Sequence, residues 1–351
     1  MSSSGESFRI AGRAVRIALD AAGGDRAPEE TVHGALAAVR DLGVQVTLVG
    51  DEGAIHRALG GQRLPEGVTV VHAPNVVTMD DEPARAVRKK RQSSIVVAAQ
   101  LVRAQQADAL VSAGNTGATM AAGLFHIGRA AGVERPAIAT PMPTETGFCF
   151  IIDAGANAEV RPEHLHQFAH MGAVYVREVF GVQEPRVGLL NVGEEPSKGT
   201  KVVREAYELL RSDPALRFVG NVEGSDVPAG KADVVVCDGF AGNIVLKLAE
   251  GIAATIFQFL RREVFASGRG KLAGLLVRPG LRRVRNRLDY AEYGGAPLLG
   301  LEGTVIIAHG KSDRRAIRNA IRAAAAAVQS DVPARIRAAM AQLSGQQGAQ
   351  A

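Results

Sequence analysis

The 351-residue chain is 46% hydrophobic and 22% charged, with a net charge of +5. That balance excludes disorder of the whole chain and leaves room for a large core. No run approaches the roughly 18 uninterrupted apolar residues that mark a spanning helix, and the opening MSSSGESFRIAGR has no apolar segment of the secretory kind. Residues 1–14 are therefore expected to be a disordered extension and the protein cytoplasmic.

Residues 15–20 read as the first buried strand, followed by the loop AAGGDRAPEE and a helix beginning near Pro28, with Glu29 and Glu30 in its first turn. Residues 45–50 form a second strand, with Asp51 placed to cap the helix carrying Ile55 and Leu59, and residues 68–72 form a third. This βαβαβ order predicts an α/β protein with a doubly wound sheet and right-handed crossovers. The next stretch, MDDEPARAVRKKRQSS, gathers Arg88, Lys89, Lys90 and Arg91, and Ser93 or Ser94 is placed to cap a helix from Ile95. These bases either face solvent or send one or two side chains, with Lys89 and Lys90 the candidates, to an anion at the strand ends.

ADALVSAGNTGATMAA, residues 107–122, reads as strand, glycine turn and helix, and brings Gly114, Asn115, Thr116 and Gly117 to the turn. Such a turn points backbone N–H groups outward at a helix start, where they and the helix dipole favour an anion. Short apolar runs follow at 137–140 and 148–153, the second ending in DAGAN. A helix from Pro162 carries His164, His166 and His170. The last two are one turn apart, as a metal pair would be, but no cysteine or HExxH pattern accompanies them, so an ordinary surface helix and no metal are expected. Residues 186–191 form a strand that ends in GEEPSKGT and puts Lys198 at its carboxyl end, the side on which open α/β sheets bind ligands; a helix follows from Thr200.

ADVVVCDGFAGNIVLK, residues 232–247, repeats the earlier pattern, with Gly239 and Gly242 matching Gly114 and Gly117. Two such turns predict a phosphate-sized anion site at neighbouring strand ends, against the plainer reading that all βα units look alike. Cys149 and Cys237 lie in apolar runs, which suits buried, reduced thiols, and no histidine near Cys237 in sequence activates it.

The alternation then breaks. Residues 256–290 read as an inserted helical hairpin, apolar at LAGLLV and Arg-rich on its flanks. Between Arg261 and Arg287 nine bases and one acid give a net +8, so the rest of the chain stands at −3. Leu272, Leu275 and Leu276 beside Arg282 and Arg283 suit contact with an anionic membrane surface, and a dimer hairpin is the competing reading. With no recognisable RNA- or DNA-binding motif here, nucleic acid is not expected. A strand at 304–309 and a helix started by Asp313 follow, and residues 336–351 are expected to be the end of that helical region and a flexible tail, leaving 15–335 as one α/β domain.

ALDAAGGDRAPE, MDDEPARAVRKKRQSS, VSAGNTGA, DAGANAEVRPEHLHQFAHMG, LLNVGEEPSKG, GNVEGSD, VVVCDGFAGNIVLK, YGGAPLLG and AHGKSD, in this order, resemble the bacterial phosphate acyltransferase family, the PlsX type. The resemblance implies a Rossmann-like fold akin to phosphotransacetylases and isopropylmalate dehydrogenase, and transfer of a fatty acyl group from acyl carrier protein to inorganic phosphate. It also implies a homodimer attached peripherally to the membrane. GEEPSKG and DGFAGN match the family's active-site motifs, which carries catalytic importance onto Lys198 and Asn243, with Asp238 orienting one of them. His309, in AHGKSD, joins the substrate-binding set.

This chemistry needs no cofactor. Phosphate is already a nucleophile at neutral pH, so the protein has to hold it, aim it at a thioester carbonyl and stabilise the oxyanion. Asp20 and Asp25 fit poorly beside an anion and are expected to hold helix ends or a lysine. The absence of G-x-G-x-x-G after the first strand argues against a nicotinamide cofactor. Two other readings stay open: an acyl-coenzyme A:phosphate acyltransferase, and a membrane scaffold of lipid synthesis without turnover.

Overall fold

The computed structural model describes residues 7–265, 274, 277–284 and 294–350. A short hairpin of β1 (Arg9–Ile10) and β2 (Arg13–Ala14) precedes the main sheet. The expected tail through residue 14 is thus ordered from Ser7 on. Phe8 is buried, and Arg13 and Arg16 both grip Asp108, at 2.6 and 2.9 Å, which fixes the hairpin against the sheet.

The sheet strands are β3 (Arg16–Asp20), β4 (Gln45–Gly50), β5 (Val68–His72), β6 (Ala109–Ser112), β7 (Ala137–Thr144) and β8 (Gly147–Ile152), then β9 (Arg186–Leu190), β10 (Arg217–Val222), β11 (Val234–Val236), β12 (Ala296–Leu299) and β13 (Thr304–Ile307). Among the described residues these eleven form one sheet in the order β10-β9-β11-β8-β7-β12-β13-β6-β3-β4-β5. The outer parts are parallel, as the βαβ reading requires. The centre is not: β13 with β12, β12 with β7, and β7 with β8 are all antiparallel. Three reversals leave β8, β11, β9 and β10 running opposite to β3, β4, β5, β6 and β13.

Both faces of the sheet are covered, which is why its strands read as continuous apolar runs. Alternate residues divide between the faces: Ile17 and Leu19 pack with helices Glu29–Leu42 and Arg314–Gln329, while Ala18 packs with helices Ser94–Arg103 and Thr116–Ala122. In the other half Phe150 and Ile152 face helices Pro162–Phe180, Lys201–Ser212 and Val332–Gln350, whereas Cys149 and Ile151 face helix Gly239–Phe259. Ile317 and Ile321 are fully buried, each contributing roughly 1.5–3 kcal/mol. Ile317 reaches that position because Gly34 opposite has no Cβ, which would stand 2.5 Å from it.

Three expectations need correction. The helix from Pro162 is not a surface helix: His164, His166 and His170 are all buried, because both its sides pack against other helices. The C-terminal segment does not fray into a tail at SGQQGAQA. Helix Val332–Gln350 continues through it, anchored by buried Met340 and Leu343 and free of proline beyond Pro333. The first arm of the basic hairpin starts not at 256 but at Gly239, running to Phe259 and on as a wider π-helical turn to Val264. Residues 277–284, including Arg282 and Arg283, are helical; Leu272, Leu275 and Leu276 lie outside the described residues.

Candidate functional site

The carboxyl ends of β9, β11 and β8 lie side by side, Val236 of β11 pairing with Leu189 on one side and Ile152 on the other. Each strand delivers one loop to this edge: Lys198 follows β9, Asp238 to Asn243 follow β11, and DAGAN follows β8.

The DAGAN loop is built around Asp153. Its Oδ1 accepts from the N–H groups of Ile138, Gly155 and Ala156, and its Oδ2 from the N–H and side-chain amide of Asn157, at 2.6–3.1 Å. Burial pushes the carboxyl up, and the ring of N–H donors opposes that shift. Asn157 in turn accepts from Gly239 N–H at 2.7 Å. A Cβ at Gly239 would stand 2.8 Å from Asn157 backbone atoms, so glycine is required for the β11 turn to lie against the loop. Asn243 also lies close to this loop, its Cβ 3.7 Å from where a Cβ on Gly155 would stand.

Asp238 caps its own helix, accepting from Ala241 N–H at 2.7 Å, so it orients the turn that carries Asn243. Cys237 is buried beneath the turn, and burial raises its thiol well above the ordinary value, which removes it as a nucleophile. In the β9 loop Asn191 donates to the Lys198 carbonyl at 3.1 Å, while the Lys198 side chain is exposed. This edge therefore offers one exposed cation, an amide side chain and a helix start, the parts needed to hold an anion and an oxyanion.

The other predicted residues stand elsewhere. Gly114 to Gly117 follow β6, five positions along the sheet from β11, and because of the three reversals the two glycine turns leave opposite ends of it. They are not at neighbouring strand ends. Sequence similarity between the two units carries no information on strand order, which the central antiparallel strands decide.

At that second edge Asp20 is buried at the end of β3, and burial raises its carboxyl. It takes the hydroxyls of Ser94 and of Ser112, the latter at 2.7 Å, and Ser112 Oγ accepts from Gly114 N–H at 3.1 Å. Asp20 thus ties the start of helix Ser94–Arg103 to the floor of the first glycine turn, through Ser94 and Ser112, rather than holding a lysine. Ser94 is used in this way, and the preceding Ser93 makes no capping bond. Asn115 caps helix Thr116–Ala122 and ties it to the carbonyls of Thr78 and Met79 at 3.3 Å. A Cβ on Gly117 would meet Pro83 at 2.7 Å.

Lys90 is committed to Asp81, at 2.6 Å, and to the Val76 carbonyl, so it braces this loop and is not spare for an anion. Lys89 is exposed, and His309, also exposed, accepts from Lys311 N–H at 3.0 Å beside the same edge. Asp25 donates its N–H to the Gly310 carbonyl, which joins the first loop to the AHGKSD loop.

The hub at Asp153 escaped the sequence reading, as did the part that Asp20 plays beneath the first glycine turn. Both are Asp residues closing an apolar strand before Ala and Gly, in LDAAGG and IDAGAN, and that shared signal was there to be found.

A family model described as fatty acid synthesis protein matches residues 15–335. The chain is 50% identical over 317 residues to the phosphate acyltransferase of Desulfitobacterium hafniense, covering 90% of this chain and 95% of the relative. It is 48% identical over 324 residues to that of Dictyoglomus turgidum, covering 92% and 96%. Among solved structures it resembles a phosphotransacetylase from Streptococcus pyogenes, with a TM-score of 0.63 at 18% identity over 90% of this chain and 94% of the other. A branched-chain phosphotransacylase from Enterococcus faecalis gives 0.55 at 15% identity, covering 90% and 99%. At such identities these structures bear on the fold alone.

Proposed function

The chain belongs to the phosphate acyltransferase family, and from that premise we propose that it takes its fatty acyl group from acyl carrier protein and acts as a homodimer on an anionic membrane surface. The reaction itself is acyl transfer to phosphate for phospholipid synthesis. A phosphate oxygen attacks the thioester carbonyl, the tetrahedral oxyanion collapses, the C–S bond breaks and the carrier thiol leaves with a proton. The products are acyl phosphate and free thiol.

The observation that supports the site is the meeting of three loops at the ends of adjacent parallel strands β9, β11 and β8. Lys198 supplies positive charge for phosphate there. Asn243, on a turn fixed by Asp238 and Asp153, supplies a neutral donor aimed at charge that develops only in the transition state, where it lowers the barrier most. Gly239 and Gly242 bring that turn against the DAGAN loop, and Asp238 acts as an orienting residue. Gly114, Asn115, Thr116, Gly117, Lys89 and His309 form a second edge, suited to the more distant parts of a long substrate.

Helix Gly239–Phe259 supports the partner readings. Phe240, Ile244, Leu248, Ile252 and Ile256, four residues apart, make one exposed apolar stripe, with Phe240 66% exposed. The helix reaching Val264 is long and apolar enough, by length and composition alone, to cross a bilayer. Its first turn, however, is built into the candidate site. A second copy of this chain against the stripe, and lipid phosphate against the +8 segment beyond it, satisfy both features while the sheet stays on the cytoplasmic side.

The test is incubation of the full chain with phosphate and either palmitoyl carrier protein or palmitoyl coenzyme A, with acyl phosphate and thiol measured together. Equal yields of both products from the carrier substrate support the proposal. Turnover with coenzyme A alone establishes the other donor, and no turnover with either leaves the scaffold reading.

A further inference from the structure

His166 and His170 sit one turn apart on helix Pro162–Phe180, and Asp213 ends helix Lys201–Ser212. The three side chains meet in the interior. Nε2 of each imidazole lies 2.7 Å from the same carboxylate oxygen, Oδ2 of Asp213, and all three ligand atoms fall within 4.8 Å of one another. Each residue is 7% exposed or less. The other oxygen, Oδ1, accepts from Ala215 N–H at 2.8 Å, so the carboxylate cannot rotate away. None of these groups touches the loops of Lys198 or Asn243, and acyl transfer has no use for them. Asp213 is 43 residues from His170 in sequence, so the spacing that first drew attention to the histidines gave no hint of a third ligand.

We propose that His166, His170 and Asp213 form a binding site for a divalent metal of the zinc class, which clamps the two helices together. Two imidazoles and one carboxylate are a donor set that Zn²⁺ takes readily, with bonds of about 2.0–2.2 Å and a fourth position left to water. Tetrahedral bonds of that length place ligand atoms about 3.3 Å apart. The present 2.7 Å approaches therefore open by about half an ångström, which small side-chain rotations supply. To coordinate, each Nε2 presents its lone pair, which puts the ring proton on Nδ1, and the metal meets two lone pairs and one negative charge.

That proton shift also sets the affinity. Nδ1 of His166 is buried without a hydrogen-bond partner, so the ring lacks the outer support that metal-bound histidines ordinarily have. Loss of such support weakens metal binding about 10–100-fold. The site is accordingly reversible, and ordinary chelators strip it.

The experiment uses the purified full-length chain, stripped with chelator and titrated with Co²⁺ and separately with Zn²⁺. One Co²⁺ per chain with the visible absorption of a tetrahedral centre, together with a Zn²⁺-dependent rise in Tm of several degrees, is the expected result. His170→Gln and Asp213→Asn each abolish the cobalt absorption and the Zn²⁺-dependent rise, while acyl transfer in either variant changes less than twofold. His170→Gln keeps a polar side chain of similar reach, and its circular dichroism shows that the fold survives. Absence of both signals in the parent chain, or their persistence in His170→Gln, overturns the proposal and leaves a hydrogen-bonded His–Asp–His cluster without metal.

Discussion

Gly242 lies so close beneath the carbonyl oxygen of Asp153 that a Cβ at this position would overlap it. The helix bearing Asn243 enters the site only because that side chain is missing. Gly242→Ala is expected to push the helix start away from the DAGAN loop, lowering kcat by about 10², the scale of an ångström of misplacement. Tm should fall by several degrees in the same variant. Steady-state rates and thermal melts check both, and an unchanged rate would remove the β11 turn from the site.

Lys198→Ala and Asn243→Ala are each expected to cost about 10² or more in kcat, the loss typical of one oxyanion donor, while Tm stays near that of the parent. The Lys198 side chain is exposed, so its removal leaves nothing buried without a partner. Saturation with phosphate separates the two: Lys198→Ala should also raise the KM for phosphate, Asn243→Ala much less.

Cys237 donates its thiol to the Asp153 carbonyl at 3.4 Å and is fully buried. Cys237→Ser should keep turnover within about tenfold of the parent, since a nucleophile would lose far more. The folded parent should also resist iodoacetamide. Rapid alkylation at neutral pH with loss of activity would restore a catalytic role.

Asp108 is held below the ordinary carboxylate range by Arg13 and Arg16, against the burial that opposes ionisation. A carboxyl lowered in the fold stabilises it at every pH above the unfolded value near 3.9, and the contribution disappears as pH falls through the lower folded value. The parent's Tm should therefore drop steeply below about pH 4, while Asp108→Asn starts lower at pH 7 and loses less over the same range. Thermal melts between pH 7 and pH 2 give the two slopes. Parallel curves would mean that the N-terminal hairpin contributes nothing through this pair.

Replacing Leu275 and Leu276 with Glu should abolish flotation with anionic vesicles yet spare activity on soluble acyl carrier protein, because insertion is removed and the arginines remain. A variant that still floats, or that loses soluble activity while folded, would move the hairpin from membrane contact to carrier docking or dimer structure.

Much of this architecture was legible in the residues. The strands from Arg16 to His72, the helix starts at Asp51 and Asp313, and the Lys198 loop all stand where local pattern placed them, because each is decided within about ten residues. The strand order was not legible. Whether two glycine turns share an edge depends on β7, β8 and β12; the β7–β8 and β12–β13 pairings are local, but the pairing that joins them, β12 with β7, is set by contacts more than 100 residues apart, such as Ile138 with Leu298. For the same reason the histidines of helix Pro162–Phe180 looked solvent-facing. Their burial comes from helices Lys201–Ser212 and Val332–Gln350, which no window around residue 166 contains.

The position of β13 bears on how this chain emerges from the ribosome. That strand, made of residues 304–307, lies between β12 and β6, so the nascent N-terminal part presents β6 as an open edge from the making of residue 112 until that of residue 304. Arg314–Gln329, which then covers the face beside helix Glu29–Leu42, arrives later still. Before residue 304 is made, Leu110 and Val111 have β3 beside them and lack β13. The stretch through β6 thus leaves the exit tunnel as a part that cannot close on itself and waits for β13 and the helix after it, which makes translation the period of greatest risk of mispairing with another chain.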